Sequence, residues 1–301
     1  MNLDNVKLIT HKDCHDGSAC AILFVACGGL IENVVFTHPN HNDVDDVAEH
    51  AYYNWEGPIW FVDVSVSEKT AELLANRGDV LLIDHHKSAI PLTRFSFCNV
   101  DKFNSACGSK LFFEFLRKEF GPEIRKYREL VDMVDDIDRW VRQIPDSDSI
   151  TRLHSVLGQK GFIKRFSKKP QISFSQIEKF LIEMDMTREK EYVESKKTQV
   201  VKVNKIIGDK EITIGFVSGG GPYRSVLGDA LCTDPSLGID LAVMINGDFI
   251  SLRSRNGEID CARIAENNGA GGGHAAAAGC NLSKILGKDL VTLAIENMKF
   301  E

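Results

Sequence analysis

Val80-Leu81-Leu82-Ile83-Asp84-His85-His86-Lys87-Ser88 decides how this chain is read, because four apolar residues run directly into an aspartate and two histidines. So short a run of branched apolar side chains reads as a β-strand. The pattern repeats upstream: residues 6–10 run into His11, and residues 59–64 carry Ile59-Trp60-Phe61-Val62 into Asp63. A further strand-like run spans 33–37, with helical patterns at 17–27 and 71–76. Strands alternating with helical patterns make βαβ units and hence a parallel sheet. Helical patterns at 105–120 and 123–135 follow, the second opening just after Gly121-Pro122, as helix-start chemistry favours.

From about 150 to 205 the chain is rich in Lys, Glu and Gln and lacks strand patterning, and residues 175–202 read as one or two long helices. Strand patterns return at 212–217, 241–245 and 249–253, the last two joined by Asn246-Gly247, a strong hairpin signal. The expected fold is therefore α/β. A parallel-sheet domain spans 1–150, a helical connector 151–205, and a smaller α/β domain with a mixed sheet 206–301.

Composition agrees with a soluble, two-domain protein. The 301 residues exceed what one hydrophobic core usually supports, and 43% hydrophobic with 26% charged residues is ordinary for globular chains. No run approaches the roughly 18 apolar residues of a membrane span, and the N-terminus lacks a basic segment followed by an apolar one, so a cytoplasmic location is expected. The eight cysteines are scattered without a Cys-x-x-Cys pair, which argues against a disulfide framework or a structural zinc site. A net charge of −7, from 36 basic and 43 acidic residues, disfavours long nucleic acid and leaves a small or short anionic substrate. The basic run Lys164, Arg165, Lys168, Lys169 reads as a solvated face.

Open parallel sheets bind ligands beyond the carboxyl ends of their strands. Three expected strands deliver His11 with Asp13 and Asp16, Asp63, and Asp84-His85-His86 to one such edge. Imidazoles and carboxylates without a thiolate pair suit Mn²⁺, and a bridging carboxylate can hold two ions about 3.5–4 Å apart.

The segments Thr10-His11-Lys12-Asp13-Cys14-His15-Asp16-Gly17, Val62-Asp63-Val64-Ser65 and Ile83-Asp84-His85-His86-Lys87-Ser88 resemble, in order and spacing, the first three motifs of the DHH phosphoesterases. That superfamily includes RecJ-type exonucleases, oligoribonucleases, dinucleotide phosphodiesterases and a family of inorganic pyrophosphatases. The resemblance implies two Mn²⁺ per chain, with Mg²⁺ or Co²⁺ as substitutes. His11, Asp16, Asp63 and His85 would be ligands, Asp63 the bridge, His86 the phosphate contact and Asp84 the support of its neighbours. The usual first motif has an aspartate two residues before Asp16, where this chain has Cys14. Asp13 is favoured over Cys14 as the remaining ligand because a hard ion prefers oxygen. Asp136-Ile137-Asp138-Arg139-Trp140 fits the fourth motif, with Asp136 as ligand and Asp138 as runner-up.

Near the C-terminus, Gly271-Gly272-Gly273-His274 precedes the run Ala275 to Ala278, the layout of a glycine turn opening a phosphate-binding helix. With Arg253-Ser254 upstream, it resembles the DHH-associated C-terminal domain. Arg253, Ser254, Gly272, Gly273 and His274 would then hold the nucleotide end of the substrate. The reaction implied is hydrolysis of short oligonucleotides or dinucleotides to mononucleotides, by a chain compatible with a homodimer. A nucleoside bisphosphate phosphatase, a polyphosphate-type hydrolase and a RecJ-like single-strand exonuclease are rivals within the enzyme class. A binding module that has lost catalysis is the rival outside it.

Overall fold

The computed structural model describes residues 2–207, 210–268 and 271–283. Chain contacts divide it into two units, Met1–Asp185 and Met186–Glu301.

In the first unit the apolar runs become parallel strands: β1 (Lys7–His11), β2 (Val34–Thr37), β3 (Ile59–Val62), β4 (Val80–Asp84) and β5 (Cys98–Val100). Between and after them lie α1 (His15–Ala26), α2 (His41–Asn54), α3 (Glu68–Leu74), α4 (Gly108–Phe120), α5 (Arg128–Asp138) and α6 (Asp148–Lys168). The strand order is β2-β1-β3-β4-β5. Alternate residues face opposite ways, as strand geometry requires. Leu8, Trp60, Val62 and Ile83 enter a core with side chains of α1, α4, α5 and α6, whereas Ile9, Phe61 and Leu82 join one built from α2 and α3. Phe24, Phe112, Phe162 and Phe166 are wholly buried in the first of these, each contributing about 1.5–3 kcal/mol relative to exposure.

The sequence pattern does not announce two of these elements. The helix α2 buries only Val44, Ala48 and Ala51, too thin an apolar stripe to stand out, and starts where Asn40 accepts a hydrogen bond from Asp43 N. The strand β5 has three residues and no apolar run of its own.

The helix α7 (Gln176–Lys197) precedes the second sheet. That sheet comprises β6 (Val201–Ile207), β7 (Lys210–Ser218), β8 (Leu241–Asn246), β9 (Phe249–Ser254), β10 (Gly272–Gly273) and β11 (Ala277–Asn281). Its order is β10-β11-β9-β8-β7-β6, with β7 and β8 parallel and the other pairs antiparallel. The helices α8 (Arg224–Thr233) and α9 (Cys261–Asn267) cover it.

Asn246 pairs with Phe249 across Gly247-Asp248, the tight hairpin that Asn-Gly signals. Two expectations fail. The stretch expected to lack strands contains β6, whose exposed valines have no buried face to pattern them and which forms by pairing with β7. The alanine run does not open a helix. Ala275 and Ala276 lie in a turn, and Ala277 and Ala278 open β11, which pairs with β9 on one side and β10 on the other, so that sheet hydrogen bonding overrides alanine's helix propensity. Gly269 and Ala270 lie outside the described residues.

Candidate metal centre

The order β2-β1-β3-β4-β5 reverses between β1 and β3, and such a switch point opens a crevice at the carboxyl ends of the strands. His11 ends β1, Asp63 follows β3, Asp84 ends β4, and His85 and His86 come next. Asp16 stands in the first turn of α1, and Asp138 ends α5.

Asp63 is the hub. Its Oδ2 lies 3.5 Å from His11 Nδ1, and its Oδ1 lies 3.4 Å from His85 Nε2. His85 Nε2 is also 3.6 Å from Asp138 Oδ2, while Asp138 Oδ1 is 3.7 Å from His15 Nε2. Potential ligand atoms gather within 4.8 Å of one another in three groups: His11, Cys14 and Asp63; Asp16, His85 and Asp138; and Asp63, Asp84, His85 and His86. Separations of 3.4–3.7 Å exceed ordinary hydrogen bonds, as expected of lone pairs that converge on one cation.

Neighbouring residues hold this set. Asp84 Oδ1 accepts from His85 N (2.8 Å), His86 N (3.2 Å) and His86 Nδ1 (2.7 Å). His85 Nδ1 donates to Asn104 Oδ1 at 2.9 Å, which turns its Nε2 toward Asp63 and Asp138. Asp16 Oδ1 accepts from Ser109 N (2.9 Å) at the positive end of α4 and from Cys107 Sγ (3.1 Å). Two glycines permit close approach. A methyl at Gly17 would overlap the His11 carbonyl oxygen, and one at Gly108 would stand 2.6 Å from Asp63 Cβ. Asp63 itself takes the left-handed conformation, φ 64°, uncommon outside glycine and often found where function requires it.

The charge balance calls for a cation. Asp16, Asp63, Asp84 and His85 are at most 4% exposed, and buried charges are tolerated only when paired or bound to metal. Oδ2 of both Asp16 and Asp63 is buried and accepts no hydrogen bond. Burial, then the charges of Asp63 and Asp138, push the Asp16 carboxyl well above the usual range. Burial alone would lower His85, but the adjacent Asp63 carboxylate and the charge of Asp138 raise it to about 11. Burial opposes ionisation of Asp63 too, yet His11 and His85 hold its carboxyl well below the usual range. Protons on imidazoles here balance carboxylate charge, work that a divalent ion does when it displaces them. The donors therefore fit a metal pair.

Two positions favoured from sequence fall elsewhere. Asp13 sits at φ 53° in an exposed turn, outside all three groups, whereas Cys14 faces His11 and Asp63. The carboxylate of Asp136 is committed to Gln143 N, Ile144 N and Ser147 Oγ at 2.6–3.1 Å, which fastens the chain after α5. Asp135 is occupied by Arg139, Lys110 and Cys107 N, which leaves Asp138 to reach the cluster. Sequence reasoning misses His15 and Asn104. His15 lies within the first motif, but the Asn104 loop carries no spacing signal.

In the second unit, Arg253 lines a cavity of about 170 Å³ with Arg224, Ser225, Phe249 and Ser251. The guanidinium of Arg224 lies 5.5 Å from the Phe249 ring centroid, and burial lowers the pKa of Arg253. Ala277 pairs with Arg253, so the turn His274–Ala277, closed by His274 N donating to Ala277 O at 2.7 Å, stands beside it. Gly273 has φ 142°. Gly272 has open space where a side chain would stand. Ser254 turns inward, its hydroxyl donating to Ile259 O at 2.6 Å, and is buried rather than presented to a ligand.

No family model matches the chain. Oligoribonuclease NrnB of Bacillus subtilis (strain 168) is 26% identical over 302 residues, covering 92% of this chain and 72% of that protein. The structure of RecJ with Mn²⁺ from Thermus thermophilus aligns with a TM-score of 0.55 at 15% identity, over 93% of this chain and 50% of that one. The pGpG-specific phosphodiesterase PggH of Vibrio cholerae aligns with a TM-score of 0.51 at 14% identity, over 91% and 92%. At these identities the two structures speak to the fold alone. No helix among the described residues is long and apolar enough to cross a membrane.

Proposed function

We propose that this chain, a DHH-family phosphoesterase with a divalent-metal site, hydrolyses short oligonucleotides or dinucleotides to mononucleotides with two Mn²⁺ ions. The observation that carries the reading is Asp63, a buried carboxylate shared between two groups of ligand atoms. His11, Cys14 and Asp63 would hold one ion, and Asp16, His85 and Asp138 the other, with Asp63 Oδ1 joining the second set through its position 3.4 Å from His85 Nε2. When bound, such ions polarise a phosphoryl group and lower the pKa of water.

The chain's own residues do the rest. Asp84 fixes His86 through Nδ1, which leaves the other ring nitrogen to meet a phosphoryl oxygen. Asn104 holds His85 in the tautomer whose Nε2 lone pair can face a metal. Cys14 is a ligand in preference to Asp13, and Asp138 in preference to Asp136. Arg253 offers a guanidinium suited to a phosphate, with Gly272, Gly273 and His274 on the neighbouring turn. The acidic net charge and the 26% identity to an oligoribonuclease support short substrates over long strands.

A substrate panel with Mn²⁺ tests this, comparing linear and cyclic dinucleotides, longer oligomers, a nucleoside bisphosphate and polyphosphate. Mononucleotide release should be fastest from the shortest linear substrates. Asp63→Asn protein, stripped with chelator and reloaded, should bind fewer than two Mn²⁺ per chain and turn nothing over. Full activity of that variant would overturn the shared-carboxylate reading.

A further inference from the structure

Phe103 has 89% of its surface exposed, the most of any large apolar side chain among the described residues. Left in water, it forgoes the burial that normally decides where an aromatic ring sits. Its loop is nonetheless held firmly. The Asp101 carboxylate accepts from Phe103 N (3.0 Å), Ser105 Oγ (2.8 Å) and Ala106 N (3.0 Å), and the loop folds around it.

The same loop is tied to the metal centre at two points and to the end of α5 at a third. Asp101 N donates to Asp84 O at 2.9 Å, Asn104 Oδ1 receives His85 Nδ1 at 2.9 Å, and Asn104 O receives Arg139 Nη1 at 3.3 Å. Phe103 is thus one Cα step, about 3.8 Å, from the residue that orients a metal-facing histidine. Trp140, on the far side of the Asn104–Arg139 bond, already has the Arg142 guanidinium 3.8 Å from its ring centroid. Phe103 has no such cover among the described residues.

The residues flanking Phe103 are Lys102 and Asn104, both polar. One ring in polar surroundings is far smaller than the roughly 800 Å² per partner that a stable protein interface needs. It matches a single planar ligand.

We propose that Phe103 is the stacking surface for the nucleobase next to the phosphate cleaved at the metal centre. This rests on the nucleotide-substrate reading above. The ring supplies affinity that tolerates any base, because each base has a π-face. Lys102, exposed beside it, faces the same solvent with a positive charge suited to the substrate's phosphates.

The test uses the full-length, Mn²⁺-loaded protein as wild type, Phe103→Ala and Phe103→Tyr. The substrates are a 5′-phosphorylated ribodinucleotide and two analogues, each with one of its two bases replaced by hydrogen. For the intact dinucleotide, Phe103→Ala should lose about 5- to 150-fold in kcat/KM, with most of the change in KM, and Phe103→Tyr should stay close to wild type. For one of the two abasic analogues, wild type and Phe103→Ala should be equal. Metal content and melting temperature should not move. Equal losses on all three substrates, or no loss on any, overturn the stacking role while leaving the nucleotide reading intact. A wild-type protein that cleaves no nucleotide at all overturns both.

Discussion

Gly108→Ala places a methyl group where α4 meets the Asp63 carboxylate. Its Cβ would stand 2.6 Å from Asp63 Cβ and 3.0 Å from both Asp63 Cα and Oδ1. Carbon atoms settle about 3.5–4.0 Å apart, so Asp63 must retreat by about 1 Å. It has little freedom to do so gently, being 1% exposed, with its N–H bonded to Ile83 O at 3.0 Å and its oxygens between His11 and His85. A misplacement of about 1 Å in a reacting constellation can cost roughly 100-fold in rate. Stability should respond differently. Alanine in place of glycine favours a helix by up to about 1 kcal/mol, whereas overpacking costs about 1–3 kcal/mol. The folded protein should therefore lose at most about 3 kcal/mol and keep its cooperative unfolding. Dinucleotide turnover at saturating Mn²⁺, Mn²⁺ affinity by calorimetry and urea unfolding of the same preparations separate the effects. Turnover within about threefold of wild type, with unchanged Mn²⁺ affinity, would refute the reasoning that Asp63 needs its present position.

Asp138→Asn should abolish binding of one Mn²⁺ with little change in folding. Asp136→Asn should retain metal yet cost about 1–3 kcal/mol, because one of two accepting oxygens is lost beneath three donors. The reverse pattern in metal analysis and urea titration would exchange their roles. Asn104→Ala should weaken Mn²⁺ binding about 10- to 100-fold by releasing His85 Nδ1, and calorimetry showing no change would remove Asn104 from the site. His154 is buried 2.9 Å from Ser18 Oγ, and burial lowers its pKa from 6.5 to about 3. Between these values the unfolded chain binds a proton that the folded chain does not, so stability falls as pH drops below 6.5. At pH 5 the loss is about 2 kcal/mol, and His154→Gln should remove that component from the difference between pH 7.5 and pH 5. An unchanged pH difference in the variant would count against a neutral His154.

The parallel sheet of the first unit was legible because its central strands are buried on both faces and read as unbroken apolar runs, and because the residues that end them are too polar to belong inside. His11, Asp63 and the triplet beginning at Asp84 could be placed on one edge without coordinates, since the carboxyl ends of parallel strands share an edge by construction. The Asn246-Gly247 hairpin was equally local. What sequence could not rank were neighbours in the chain that differ only in direction. Asp136 and Asp138 lie about 200° apart around α5, so one can fasten the following loop while the other turns to His85. Asp13 lies outside the clustered ligand atoms because φ 53° carries it into an exposed turn, although its oxygen is the harder ligand. The end of the alanine run, Ala277 and Ala278, became a strand because β9 and β10 offer it hydrogen-bonding partners. The sequence by itself determined which chemical groups reach the switch point, through strand periodicity and motif order. Only the tertiary structure decided which carboxylate, thiol or ring nitrogen faces inward, because that depends on helix rotation, turn conformation and distant contacts such as Asn104 and Gly108.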